Sequence, residues 1–327
     1  MKELSVLVPE CHTNLSSVVL TYEILLAANE YYARLGKKPV FNIQLVSNVK
    51  TAVSHNGLFS VHPGRNIKDK YAADLVIIPS VDEHFDVSLK RNKDLINWIT
   101  QQYIAGAELA SLCTGAFLLA ATGLLKDRQC STHWLAVDEF RRQFPDVHLA
   151  TEKVITDEHG VYTAGGAISA MNLVLYIIEK FYDRETAIYC AKVFEIDIER
   201  NSQSPFMIFV GQKKHGDEQI KKAQLFMEEN FSGKIVMEDL ASKFFIDRRN
   251  FDRRFIKATA YTAAEYLQRI KIEAAKKSLE TTRKSITDVM YDIGYSDTKT
   301  FRSTFKKITG LSPIEYRSKY NREAAVL

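Results

Sequence analysis

A chain of 327 residues exceeds what one hydrophobic core ordinarily serves, and its 46% hydrophobic and 26% charged residues supply apolar material for two folded domains. No run approaches the roughly 20 consecutive apolar residues that cross a bilayer, and residues 1–10 lack the basic flank and cleavage site of a secretory signal. A cytoplasmic protein without membrane contact is expected. The four cysteines, Cys11, Cys113, Cys130 and Cys190, form no C-x-x-C pair and the eight histidines no metal-ligand spacing, so neither a disulfide framework, a metal nor a cofactor is expected.

Residues 1–200 alternate short apolar runs with amphipathic stretches, the pattern of an α/β domain with a largely parallel sheet. Strands are predicted at 4–8, 41–47, 75–78, 108–112, 154–156 and 161–163. Helices are predicted at 17–35, 93–104, 115–122, 133–143 and 167–181, which makes a doubly wound sandwich. The stretches 55–70 and 81–90 read as loops without legible chemistry. Residues 201–216, with Ser202, Ser204, Pro205, Lys213, Lys214 and Gly216, lose the rhythm and read as a linker.

From residue 217 onward the pattern is helical only, with Ile220, Ala223, Phe226 and Met227 on one stripe. Residues 217–327 hold 22 Lys and Arg against 16 Asp and Glu, a net +6; the whole chain is +4, so residues 1–216 are net −2. Such asymmetry fits a nucleic-acid-binding module joined to a domain with another task.

Two stretches within that region repeat one design. In residues 248–257, Phe251 and Phe255 are four apart and would point into a core, leaving Arg248, Arg249, Asn250, Arg253 and Arg254 on other faces. In residues 297–307, Phe301 and Phe305 repeat the pair, with Thr298, Lys299, Arg302, Lys306 and Lys307 outside. Aromatics would anchor each helix while guanidiniums, ammoniums and amides reach phosphates and base edges of double-stranded DNA. A helix over about 263–280 would join the two units rigidly. One exposed basic helix describes many proteins; two about fifty residues apart are hard to dismiss.

The string Ile293-Gly294-Tyr295-Ser296-Asp297, followed by Phe301, Phe305-Lys306-Lys307, Gly310, Ser312-Pro313 and Tyr316-Arg317, resembles the AraC/XylS family of regulators across roughly residues 220–320. The resemblance implies two helix-turn-helix units entering successive major-groove segments about one helical turn apart. Ala260 stands where the family usually has glycine, Ala263 where it usually has proline, and Met290 replaces a common small residue.

Upstream, Ser111-Leu112-Cys113-Thr114-Gly115-Ala116 resembles the nucleophile elbow of class I glutamine-amidotransferase-like, or PfpI/ThiJ-type, domains, with His133 in Ser131-Thr132-His133-Trp134 and the stretch Thr163-Ala164-Gly165-Gly166 as further points of similarity. The resemblance covers about residues 2–194 and implies a flavodoxin-like α/β sandwich, in which a thiol beside a helix N-terminus is favoured as thiolate. Two departures set this chain apart from enzymes of that fold. Ser17 stands where a carboxylic acid is usual, counting back from Glu23, and Pro79-Ser80-Val81 replaces the Pro-Gly-Gly loop that supplies oxyanion-stabilising amides.

The combined architecture resembles the GlxA-type regulators: domain 1–200 as amidotransferase-like sensor and dimerisation domain, 201–216 as linker, 217–327 as DNA reader. It implies a small-molecule effector, a homodimer and RNA polymerase as a candidate contact, with Cys113, His133, Ser17 and Glu23 as candidate pocket residues. Two alternatives stand beside it. One is a cysteine-dependent hydrolase or glyoxalase-like enzyme using Cys113 as nucleophile and His133 as base. The other is a ligand-binding scaffold whose helical domain binds protein.

Overall fold

The structure is a computed structural model that describes residues 1–10, 14–54, 57–81, 84–198 and 202–321. Cys11 and residue 201, the expected start of the linker, lie outside these. The chain divides into two compact units, Met1–Gln203 and Ser204–Leu327.

The first unit runs β1 (Lys2–Leu7), α1 (Leu15–Arg34), β2 (Phe41–Ser47), β3 (Ala52–Ser54), β4 (Phe59–Val61), β5 (Arg65–Asn66), β6 (Leu75–Ile78), α2 (Phe85–Arg91), α3 (Lys93–Ile104) and β7 (Glu108–Leu112). It continues with α4 (Ala116–Ala121), β8 (Gln129–Cys130), α5 (Val137–Gln143), β9 (His148–Leu149), β10 (Ile155–Asp157), β11 (Val161–Ala164), α6 (Met171–Phe181) and α7 (Arg184–Val193). Among the described residues a seven-stranded sheet has the order β10-β11-β7-β6-β1-β2-β5. Every neighbouring pair in it is parallel except β10 with β11.

The central strands are apolar on both faces because helices cover both. Leu4 and Val6 of β1 join a core with Ile24 and Leu25 of α1, Leu173 and Ile177 of α6, and Ala187 and Cys190 of α7. Leu7, Val76 and Ile78 face the other way, onto Leu95 and Ile99 of α3, Phe117 of α4 and Phe140 of α5. This is the doubly wound, flavodoxin-like sandwich expected from the sequence. The predicted helices beginning at 115, 133 and 167 each open instead with a 3₁₀ turn, at Cys113–Gly115, Trp134–Ala136 and Ala167–Ala170. Helices α2 and α7 arise where none was predicted, although Asp183, which accepts from Thr186 N as the cap of α7, was a legible start signal.

The second unit contains α8 (Glu218–Asn230), α9 (Met237–Lys243), α10 (Arg248–Thr259), α11 (Ala263–Thr281), α12 (Ile286–Asp292), α13 (Thr298–Thr309) and α14 (Pro313–Tyr320). Two small cores share α11. Ile220, Met227, Leu240, Phe251, Phe255 and Tyr266 form one; Ile272, Leu279, Val289, Phe301, Phe305 and Tyr316 form the other.

The stretch expected to be a linker is packed. Ser202 bridges Lys153, and Gln203 is buried in the first unit. Residues 204–212 lie as a strap on the second unit. Tyr320 donates its hydroxyl to Pro205 O at 3.0 Å, buried Lys276 donates to Met207 O at 2.5 Å, Phe209 N–H donates to Glu273 at 3.1 Å, and Gln224 donates to Gln212 O at 2.8 Å. Composition misled here because irregular backbone can be satisfied by side chains from neighbouring helices as fully as by its own ladder.

Candidate nucleic-acid interface and effector cavity

The two basic helices are built alike to the level of single atoms. Asp247 caps α10 by accepting from Asn250 N at 3.0 Å, and Asp297 caps α13 by accepting from Thr300 N at 2.7 Å. Phe251, Phe255, Phe301 and Phe305 are all fully buried. At each helix end a buried threonine, Thr259 or Thr309, donates to the carbonyl four residues back and accepts from the amide two residues on. The next residue, Ala260 (φ 61°) or Gly310 (φ 76°), takes the left-handed conformation that ends the helix. The threonine pair is a signal of the duplication that the sequence reading passed over.

On α10, Arg249 and Arg253 are exposed, and so is Ile256, 46% exposed and not anticipated. Arg249, Arg253 and Ile256 fall at i, i+4 and i+7 and so share one face. Asn250 is half-buried, and its Oδ1 accepts from Arg253 Nη2 at 2.9 Å, which aims that guanidinium. Arg248 and Arg254 were expected on the same surface, but both are half-buried and committed within the protein. Arg254 grips Asp217 at 2.6 and 2.8 Å, holding that carboxyl below its usual range, and Arg248 joins Glu238 and Asp252. The reason is position: both lie on flanks of α10 that meet carboxylates of their own unit. On α13, Thr298, Lys299, Arg302 and Lys306 are all exposed.

In the first unit the strand order reverses at β1: the chain moves outward to β2 and β5, then returns to β6 on the other side. In such sheets the crevice beyond the carboxyl ends of the strands at this point is where ligands bind. Cys113 sits there, at the end of β7, 6% exposed and at φ 55°. This is the strained turn of an elbow. Gly115 is required beside it, since a Cβ would lie 2.5 Å from the carbonyls of Ile78 and Pro79.

Cys113, Ser17, Ser16, Asn14, Ser80 and Leu20 line a cavity of about 40 Å³ together with Ala167, Ile168 and Met171. Among the described residues the lining includes neither His133 nor Glu23. His133 is half-buried, accepts from Leu135 N at 3.1 Å and packs against Gly166, while the neighbouring Thr132 hydroxyl donates to Cys113 O at 3.0 Å. Glu23 is exposed. Six residues beyond Ser17 on a helix of 3.6 residues per turn, it faces away from the side that Ser17 turns to the elbow.

The loop after β6 has its amides already in use. Ser80 N–H donates to Ser17 Oγ at 3.1 Å, and Val81 N–H donates to Thr114 Oγ1 at 3.0 Å. The serine in place of an acid thus occupies a donor that an oxyanion would need, and Thr114 occupies the next. Cys130 and Cys190 are buried thiols, pushed by desolvation up to about 12 and about 11 respectively.

An elbow-bearing sandwich joined to twin basic helix-turn-helix units defines a DNA-binding transcription regulator rather than an enzyme of the same fold. The comparisons agree. Residues 240–319 match a helix-turn-helix domain model and residues 31–180 the DJ-1/PfpI family. The chain is 25% identical over 263 residues, 79% of its length and 69% of the relative's, to the HTH-type transcriptional regulator GbdR of Pseudomonas aeruginosa. It is 23% identical over 302 residues, 92% of its length and 87% of the relative's, to the HTH-type transcriptional regulator CdhR of the same species. The fold of the first unit is shared with the crystal structure of a putative transcriptional regulator from Vibrio parahaemolyticus, at TM-score 0.53 and 23% identity, covering 59% of this chain and 98% of that one. The chain thus carries a DJ-1/PfpI-type domain followed by an AraC-type helix-turn-helix domain. Among the described residues no helix is long and apolar enough to cross a membrane.

Proposed function

We propose that this regulator reads its operator with Arg249, Arg253 and Ile256 of α10 and Thr298, Lys299, Arg302 and Lys306 of α13, under control of a small effector at the Cys113 cavity. The observation that carries the reading is the division of the first basic helix into an exposed face and arginines held by carboxylates. Arg249 and Arg253 supply bidentate donors of the kind that read guanine, and Ile256 an apolar contact of the kind that reads a thymine methyl. The second helix offers no exposed acid between Thr298 and Lys307, which suits phosphate contact as well as base contact. At about 40 Å³ the cavity admits a group of only a few heavy atoms, so a larger effector requires its walls to move. The reading includes a cytoplasmic homodimer and a contact with RNA polymerase. Apolar side chains exposed for such contacts include Leu135 and Ile168 on the first unit and Phe245, 95% exposed, on the second.

The test is binding to sites selected from random duplex DNA. Arg249→Ala and Arg253→Ala are expected to cost about 1–3 kcal/mol each and to relax preference at one base position. Lys299→Ala should weaken all sequences alike and lower the salt slope by about one ion. Arg254→Ala should lower thermal stability and leave the preferred sequence unchanged. A preference lost with Arg254 and kept without Arg249 and Arg253 overturns the assignment.

A further inference from the structure

Residues 165–168 form a turn with two sides. On one, Ala167 and Ile168 form part of the wall of the Cys113 cavity. On the other, Gly166 N–H donates at 2.9 Å to Oε1 of Gln203, and a Cβ on Gly165 would stand 2.3 Å from the carboxamide carbon of that same glutamine. A Cβ on Gly166 would stand 2.0 Å from the His133 ring. Both glycines are required by what is packed on them, which gives the Gly-Gly pair a role beyond resemblance. Between the two sides Ala167 is held at φ 50°, a conformation that L-residues adopt only when their surroundings force it.

Gln203 is 3% exposed, and both ends of its carboxamide are engaged. Its Nε2 faces the carbonyls of Thr132 and Lys153 at 3.1 Å, the carbonyl of Thr151 at 3.2 Å and Ser131 Oγ at 3.4 Å, while its backbone N–H donates to Glu152 O at 2.9 Å. A primary amide has two N–H hydrogens to share among these oxygens and one oxygen to take the Gly166 amide. With the next residue, Ser204, the second unit begins, and with it the strap that crosses α11.

We propose that Gln203 is a latch: the turn 165–168 transmits the state of the Cys113 cavity to the glutamine, and the glutamine sets how firmly the strap at 204–212 is held. The proposal rests on reading that cavity as the effector site. An occupant too large for about 40 Å³ displaces Ala167 and Ile168. The turn cannot move without shifting the Gly166 amide away from Oε1, and a buried carboxamide that loses a partner is destabilised where it sits. Release at Gln203 frees the first residue of a strap whose hydrogen bonds run to Lys276, Glu273 and Gln224 of the DNA-binding unit.

The experiment uses the full chain in four forms: wild type, Cys113→Phe as a built-in occupant, Gln203→Ala, and the double variant. Hydrogen exchange of residues 204–212 and affinity for a selected DNA site are measured on each. Cys113→Phe and Gln203→Ala should each speed strap exchange by about tenfold and shift DNA affinity by a similar factor, and the double variant should add nothing to either single. Cys113→Met, a milder filling, and Gln203→Glu, which sets a carboxylate against the same oxygens, should reproduce the two effects in folded protein. If filling the cavity shifts DNA affinity equally with and without Gln203, the sensor reading stands and the latch is wrong. If filling it alters neither exchange nor affinity, both are wrong.

Discussion

Several residues of this chain occupy backbone conformations that their side chains resist. Cys113 and Ala167, at φ 55° and 50°, both face the cavity, so strain collects where a ligand is proposed to act. Ala260, at φ 61°, is different: it caps α10 where Gly310 caps the equivalent α13, and nothing but helix termination occupies it. A left-handed alanine costs about 1–2 kcal/mol relative to a residue without Cβ. Ala260→Gly is therefore expected to stabilise the second unit by about 1 kcal/mol, seen as a higher urea midpoint at unchanged slope. A lower midpoint would mean that the alanine methyl contributes packing worth more than the strain. The departure from the family glycine, visible in the sequence, is thus a local cost that the capping threonine Thr259 and the buried Phe251 and Phe255 outweigh.

Among the elements, the strap holds the lesson least available from sequence. Beyond a 3₁₀ turn at Ser204–Phe206 its backbone has no helix or strand ladder, yet Lys276, 3% exposed, reaches across to one of its carbonyls, and Phe209 packs edge-on against Tyr261 and Tyr266. Removing it takes the Met207 carbonyl from Lys276, which keeps Glu273 at 2.8 Å, and uncovers the rings of Tyr261 and Tyr266. A fragment beginning at residue 213 should consequently be less stable than one beginning at 204 by about 3 kcal/mol, measured by denaturant unfolding. Equal stability of the two fragments would show that the strap only rests on the surface. The basic helices, by contrast, announce themselves, because a four-residue aromatic spacing has one reading on a helix. What their sequence does not reveal is which arginines are already engaged: Arg254 meets an aspartate 37 positions earlier, and Arg248 a glutamate 10 positions earlier, pairings that only folding creates.

At the scale of the whole molecule, each unit carries ion pairs of its own. In the first, Asp183 caps α7 and pairs with Lys37 at 2.8 Å, and these bonds from Lys37 and Thr186 hold its carboxyl at about 2, against about 3.9 for an unstructured aspartate. A depressed carboxyl stabilises the fold above its unfolded value and loses that contribution as pH falls through the folded one, so the loss falls between about pH 4 and pH 2. Asp183→Asn should be less stable than wild type near pH 7 and should lose less over that acid range, as read from urea midpoints. Parallel loss in both proteins would place the acid sensitivity elsewhere. The mutual exposure of the pair to solvent keeps the effect modest.

The sequence by itself determined the two classes of unit, the alternation that builds a doubly wound sheet, the duplicated aromatic anchors, and the elbow at Cys113, because each is a local or periodic pattern whose meaning does not depend on distant residues. Tertiary structure alone decided that Ser17 consumes an amide of the loop after β6 and that Ile256 is exposed on the same face of α10 as Arg249 and Arg253. It alone turned an apparent linker into a buried glutamine and a fastened strap. Those outcomes depend on which groups meet across tens of residues, and a hydrogen bond or ion pair between such groups leaves no periodic trace in the chain that makes it.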